Sequence, residues 1–166
     1  MTTPVQPAPP TIFLLSIERF RGIKSLTWRP GPGVNLILGG GDVGKTTILD
    51  AISLLLSPTN SASVLDSDYN LRDEEAEFCI EAVIALPSGG GINQLTKASW
   101  PWNWNGQDAI VPAHDEGSDP PGEEVYKLRV RGTADLELSY EIVQPSGMTE
   151  TLPVSFRRAI GLVPIT

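Results

Sequence analysis

Apolar and polar positions divide the chain into short blocks of two kinds. Thr11 to Phe20 (TIFLLSIERF) is apolar, alternates in its second half and stops at Arg21-Gly22, which predicts a strand. A looser apolar pattern at Ile23, Leu26 and Trp28 predicts a second short strand, ended by the turn Pro30-Gly31-Pro32-Gly33. Val34-Asn35-Leu36-Ile37-Leu38 then runs apolar into three glycines and is expected to be a buried strand. From Lys45 to Leu56 the pattern changes: Ile48, Leu49, Ile52, Leu55 and Leu56 fall on one side of a helix, which Ser57-Pro58 ends.

Beyond the helix, Thr59 to Glu77 is polar, and strands are predicted at Phe78 to Leu86, Val125 to Val130 and Leu136 to Val143. Residues 87–124, rich in Gly and Pro and holding Trp100, Trp102 and Trp104, show no period and are read as a long insertion. Leu152 to Thr166 is expected to be one more extended piece without a closing helix, and residues 1–11 a disordered lead-in. The domain would thus span residues 12–166.

Composition narrows the class. With 16 Gly and 15 Pro in 166 residues the chain cannot be a helical bundle, and its 40% apolar content is enough for an ordinary core. No apolar run approaches the roughly 20 residues of a membrane-spanning helix, and no basic, then apolar leader opens the chain, so a cytosolic protein is expected. One cysteine, Cys79, and one histidine, His114, make neither a disulfide nor a Cys/His metal cluster; Cys79 is read as core. The formal charge of -8 is uneven. Residues 1–60 hold Arg19, Arg21, Lys24, Arg29 and Lys45 against Glu18, Asp42 and Asp50, so the first third is the better host for an anion. Such a balance does not support bulk electrostatic binding of nucleic acid by this chain alone.

The candidate chemistry lies between the third strand and the helix. Gly39-Gly40-Gly41-Asp42-Val43-Gly44-Lys45-Thr46 satisfies G-x-x-x-x-G-K-[ST] in the strand-to-helix setting that phosphate loops require. A triphosphate needs convergent backbone N–H donors, and glycine lets the backbone approach and turn through positive φ. Lys45 would neutralise β- and γ-phosphate oxygens, Thr46 would ligate Mg²⁺ and Thr47 would reach the α-phosphate. No guanine-reading N-K-x-D occurs, so ATP is the expected nucleotide. A Walker B strand is not visible: Ile80-Glu81 and Leu136-Glu137 lack the preceding apolar run, and no catalytic residue is assigned. Leu86-Pro87-Ser88-Gly89-Gly90-Gly91 imitates an ABC signature but is read as a turn.

Phe20-Arg21-Gly22-Ile23, Pro32-Gly33-Val34-Asn35-Leu36-Ile37, the phosphate loop and Ile48-Leu49-Asp50-Ala51-Ile52, in this order, resemble the N-terminal segment of RecF/SMC-like ABC ATPases. With Asp66-Ser67-Asp68-Tyr69 before the next strand, the segment is most similar to the OLD family of ATP-dependent endonucleases. The resemblance covers about residues 12–86 and, more weakly, 125–165. It implies an α/β P-loop fold with an antiparallel β subdomain, and an ATPase head that dimerises around nucleotide and acts on DNA. In OLD proteins a Toprim nuclease domain follows. Family members carry Pro-Asn-Gly-Ser where this chain has Gly40-Gly41-Asp42-Val43, so Asp42 adds a negative charge beside the nucleotide. The same resemblance makes Gln144 a candidate Mg²⁺ contact.

Other residues receive plainer readings. Asp66 and Asp68 read as solvated loop carboxylates rather than metal ligands, Arg19 and Arg21 as surface groups, and the Trp cluster as packing rather than a platform for bases. Three functional expectations follow: part of an ATPase completed by a second copy or partner chain, a nucleotide sensor without turnover, or a remnant.

Overall fold

The structure is a computed structural model that describes residues 9–39, 44–86, 101–112 and 122–161. The expected first two strands are β1 (Thr11–Phe20) and β2 (Ile23–Trp28), and the predicted helix is α1 (Lys45–Leu55). Three 3-10 turns, Asp66–Asp68, Asn70–Arg72 and Glu74–Ala76, carry the polar stretch to β3 (Phe78–Ala85). Then come β4 (Trp102–Trp104), β5 (Ala109–Ile110), β6 (Glu123–Gly132), β7 (Leu138–Val143), β8 (Thr149–Thr151) and α2 (Val154–Ile160).

The eight strands of the described residues belong to one antiparallel sheet, in which β2, β1, β3, β6, β7 and β8 are successive neighbours and the β4–β5 hairpin pairs with the start of β6. Register decides what each face carries. Leu15 pairs with Ala82 and Ala82 with Leu128, while Ile17 pairs with Ile80 and Ile80 with Val130. These rows form the apolar face, and Ala51 and Leu55 of α1 pack against it in the main core. Gly132 completes the face: a Cβ there would lie 2.2 Å from the Phe78 ring, so only glycine admits that ring, which packs on Phe20 and Tyr69 at 4.9 and 5.1 Å.

The opposite face is divided along its length. At one end Val83, Ala85 and Val125 form a small cluster under Phe13, Trp102 and Trp104. At the other, Arg129 binds Glu81 through two hydrogen bonds of 2.8 and 3.0 Å, and Arg131 bridges Glu141 and Glu77 at 2.9 and 3.2 Å. Cys79 lies on this polar face, pairing with Arg131 across the strands, and is half-buried, which corrects its expected place in the core: period-2 alternation puts it opposite its apolar neighbours Phe78 and Ile80. Burial still pushes its thiol up to about 11.

Three further expectations change. Val34–Leu38 is not a buried strand: it pairs with no strand among the described residues, with Val34 98%, Leu36 79% and Leu38 80% exposed. Pro30-Gly31-Pro32-Gly33, closed by the Asn35 side chain on Gly31 and Gly33, separates it from β2. The chain end contains α2, not an extended piece. Phe156 is buried, and the helix is flanked by Pro153 and by Gly161, which adopts φ 73°. The stretch read as one loop contains β4 and β5, because Trp102 and Trp104 have an apolar surface to cover.

Candidate nucleotide-binding site

Gly44 begins α1 with φ 86°, ψ 8°. The nearest atoms to a Cβ placed there are those of Ile23 at 3.7 and 3.8 Å, so the requirement for glycine is conformational rather than one of space. The Gly44 carbonyl accepts the first helical hydrogen bond, from Ile48 N–H, at 3.0 Å. Among the described residues no side chain caps α1, and its first turn holds no acidic residue. Its first N–H groups and positive dipole end therefore have no competing side-chain partner among the described residues. Lys45 bends back and donates its ammonium to the Gly39 carbonyl, spanning the loop from end to end. Thr46 is exposed and Thr47 half-buried in the same turn. Gly40, Gly41, Asp42 and Val43 lie outside the described residues. Of the expected loop residues, Gly39 and Lys45 are joined by this hydrogen bond, and Gly44, Thr46 and Thr47 adjoin Lys45 at the helix start.

The middle of α1 is held from the side by the β1–β2 turn. Arg21, at φ 51°, donates to Asp50 of α1 and, at 3.0 Å, to Asp68. Its backbone N–H also donates to the Asp68 carbonyl at 2.8 Å, and its carbonyl accepts from Asn70 at 2.7 Å. Partial burial opposes the Arg21 charge, but the hydrogen bonds and fields of Asp68 and Asp50 outweigh it and raise its pKa above the ordinary value. Asp68 is thus not a solvated loop carboxylate: it holds Arg21 and the Leu65 N–H, while Asp66 pairs with Arg72 at 3.5 Å. Arg19 donates to the carbonyls of Ala76 and Glu77, both at 3.1 Å.

Gln144 is not brought to the loop. It is buried in the β7–β8 turn, where its N–H donates to Met148 O and its carbonyl accepts from Gly147, both at 2.8 Å. Gly44 packs beside β2. Between β2 and β7 are four strand spacings, roughly 19 Å of sheet, so Gln144 is corrected to a turn residue. Glu81 faces away from α1 and is held by Arg129, and Glu137 is exposed. Trp102 donates to Val143 O at 2.8 Å beneath the Lys127 ammonium, 3.8 Å from its ring, and Trp104 packs at a tilt against Phe13, ring centroids 5.3 Å apart. Both are packing residues; Trp100 and His114 lie outside the described residues.

One buried cation was missed in the sequence. Arg157 of α2 is 1% exposed, donates to Ser57 O and Thr59 O at 2.8 and 3.1 Å and to Asn60, and lies 3.7 Å over the Tyr140 ring. Burial lowers its pKa. It tethers α2 to the carbonyls beyond the C-terminus of α1, where a positive charge is favoured. Pro153 before and Gly161 after Val-Ser-Phe-Arg-Arg-Ala-Ile was the available signal.

Comparison with known proteins places this arrangement. The sequence model of the AAA domain family matches residues 14–109. The chain belongs to this family. It is 54% identical over 75 residues to the DNA replication and repair protein RecF of Shewanella baltica, and 37% over 77 residues to that of Chloroherpeton thalassium. These matches cover 45% and 46% of this chain but 21% of each relative, so the AAA-family chain matches about a fifth of their length. Among solved structures it superposes on the recombination mediator protein RecF with ATP with a TM-score of 0.57 and 15% identity, covering 91% of this chain and 30% of that one. An SMC ATPase gives 0.54 and 17%, with 92% and 81% covered. The fold is therefore that of RecF/SMC-like P-loop ATPases.

Proposed function

We propose that the chain binds Mg-ATP through Gly39, Gly40, Gly41, Asp42, Val43, Gly44, Lys45, Thr46 and Thr47, as the N-terminal part of a RecF/SMC-type ATPase acting in DNA processing or repair. The observation that carries this reading is the uncapped start of α1 behind a left-handed Gly44, with Lys45 lying across it. Among the described residues the partner of Lys45 is a neutral carbonyl, and an anionic phosphate would form the stronger, charge-assisted hydrogen bond. Thr46, exposed beside it, would hold Mg²⁺, which would neutralise phosphate charge when bound. The RecF relatives and the ATP-bound RecF neighbour support the same assignment.

Within this class an OLD-type head is the finer reading, supported by Asp66-Ser67-Asp68-Tyr69 ahead of β3. A second copy or a partner chain would supply the rest of the ATPase and the contact with DNA, and the setting is cytosolic. No residue of this chain is assigned to hydrolysis.

Calorimetry of Mg-ATP with the wild-type chain and Lys45→Ala, with phosphate release followed on the same samples, tests the reading. Binding weakened at least about tenfold in Lys45→Ala, without turnover in either, is expected. Absence of wild-type binding, or equal binding by both, would overturn it and leave the remnant; steady release abolished in Lys45→Ala would overturn the absence of turnover.

A further inference from the structure

Arg29, the residue after β2, reaches the tip of the β4–β5 hairpin. Its Nε donates to the Gln107 carbonyl at 2.8 Å and its Nη2 to the Asp108 carboxylate at 3.1 Å. The hairpin is rooted on β6, which lies three strand spacings from β2, roughly 14 Å of sheet, so this contact fastens two separate parts of the fold. We propose that Arg29 is a positioning residue for the phosphate loop: held by the hairpin, it fixes the base of the connection that carries Gly39 to Lys45. The proposal rests on the reading that this loop binds Mg-ATP, and it adds the hairpin to the parts that set the affinity.

Both sides of the contact are fixed before they meet. In the hairpin, the Asn105 side-chain carbonyl accepts from the Gln107 and Asp108 N–H groups at 2.9 and 2.8 Å, and Asn105 N–H donates to the Asp108 carbonyl at 3.1 Å. Trp104 against Phe13 and Trp102 on Val143 O hold the hairpin to β1 and β7. On the other side Arg29 is followed by Pro30, whose φ is set by its ring, and Asn35 closes the turn with three hydrogen bonds to Gly31 and Gly33. Gly39, which accepts the Lys45 ammonium, is four residues beyond Asn35. Releasing Arg29 frees the base of the connection from β2 to α1. Its far end then samples more arrangements, and the fraction in which Gly39 and Lys45 meet falls. The planar guanidinium suits the task because it reaches a carbonyl and a carboxylate at once, which a lysine ammonium matches less well.

The test is calorimetry of Mg-ATP with the full chain as wild type, Arg29→Ala, Arg29→Lys, Asp108→Ala, the charge-exchanged R29D/D108R and Lys45→Ala. Arg29 and Asp108 are 45% and 57% exposed in their side chains, so the fold should survive these changes and the effect has a ceiling. Arg29→Ala is expected to bind about threefold to fivefold more weakly, the most that a partly exposed pair supplies. Asp108→Ala should lose less, because the Gln107 carbonyl still holds Arg29; Arg29→Lys should lie between wild type and Arg29→Ala, and R29D/D108R should recover part of the loss. Binding stoichiometry should stay at the wild-type value throughout, whereas a merely structural role would lower the competent fraction and leave the affinity of the remainder unchanged. Wild-type affinity in Arg29→Ala, with binding lost in Lys45→Ala, would overturn this proposal and leave the nucleotide reading standing; no binding by wild type would overturn both. Weakening that shows as a lower stoichiometry, or that the charge exchange leaves uncorrected, would also overturn it.

Discussion

The guanidinium of Arg21 joins Asp50, at the middle of α1, to Asp68, in the first of the 3-10 turns that precede β3, and it does so from a backbone at φ 51°. The phosphate-loop helix is therefore anchored to the sheet by a side chain held in a conformation that L-residues seldom adopt. Arg21→Ala removes both ion pairs and keeps the unfavourable backbone; Arg21→Gly removes them and relieves it. The partly exposed pairs contribute on the order of 1 kcal/mol, and the glycine variant should be more stable than the alanine variant by about 1 kcal/mol in urea unfolding. Equal stability of the two would show that the backbone is not strained at Arg21.

Gly44→Ala tests the start of the helix. With room for a methyl group but φ 86°, the variant is expected to lose about 1 kcal/mol of stability and to bind Mg-ATP more weakly than wild type, because the first N–H groups of α1 change direction. Unchanged calorimetric affinity would exclude these groups from the phosphate site.

In the core, Gly132→Ala should be far more damaging than its size suggests. The added methyl would meet the Phe78 ring at 2.2 Å, and that ring is wedged between Phe20 and Tyr69. A loss of about 2–3 kcal/mol is expected, with the companion change Phe78→Leu recovering part of it. Chemical denaturation of the single and double variants measures both.

Arg157→Ala leaves Ser57 O, Thr59 O and Asn60 without their donor and opens a cavity against Tyr140. Destabilisation of about 3 kcal/mol is expected. Because the Arg157 Nε is itself buried without a partner, Arg157→Met, which fills the volume without a charge, should cost less. The thermal transitions of the two variants should separate accordingly.

The Cys79 thiol predicts a chemical signature. Burial raises its pKa to about 11, so near pH 8 its thiolate fraction, and with it the alkylation rate, should be roughly a hundredfold below that of an unperturbed cysteine. A raised pKa means the folded state holds this proton more tightly than the unfolded chain. Its contribution to stability is therefore complete below the unfolded pKa of 9.0 and declines as pH rises towards 11. Iodoacetamide labelling across this range checks both statements, and a rate equal to that of free cysteine would contradict them.

Sequence alone determined the elements whose signals are local. Alternation marked β1, β3, β6 and most of β7, the 3.6-residue period marked α1, and the spacing of Gly39, Gly44, Lys45 and Thr46 marked the candidate site. Each of these signals is carried by neighbouring residues and needs no partner distant in the chain. Tertiary structure decided the rest. Val34–Leu38 has a strand's pattern, but a strand is defined by its hydrogen-bonded neighbours, and the described sheet offers it none. Cys79 and Gln144 changed meaning when register placed one on the polar face and the sheet order put the other at the far edge from the loop. Arg21, Asp50 and Asp68 could be read singly, but their union is a contact across 29 and 47 residues, written only in the way the chain closes on itself.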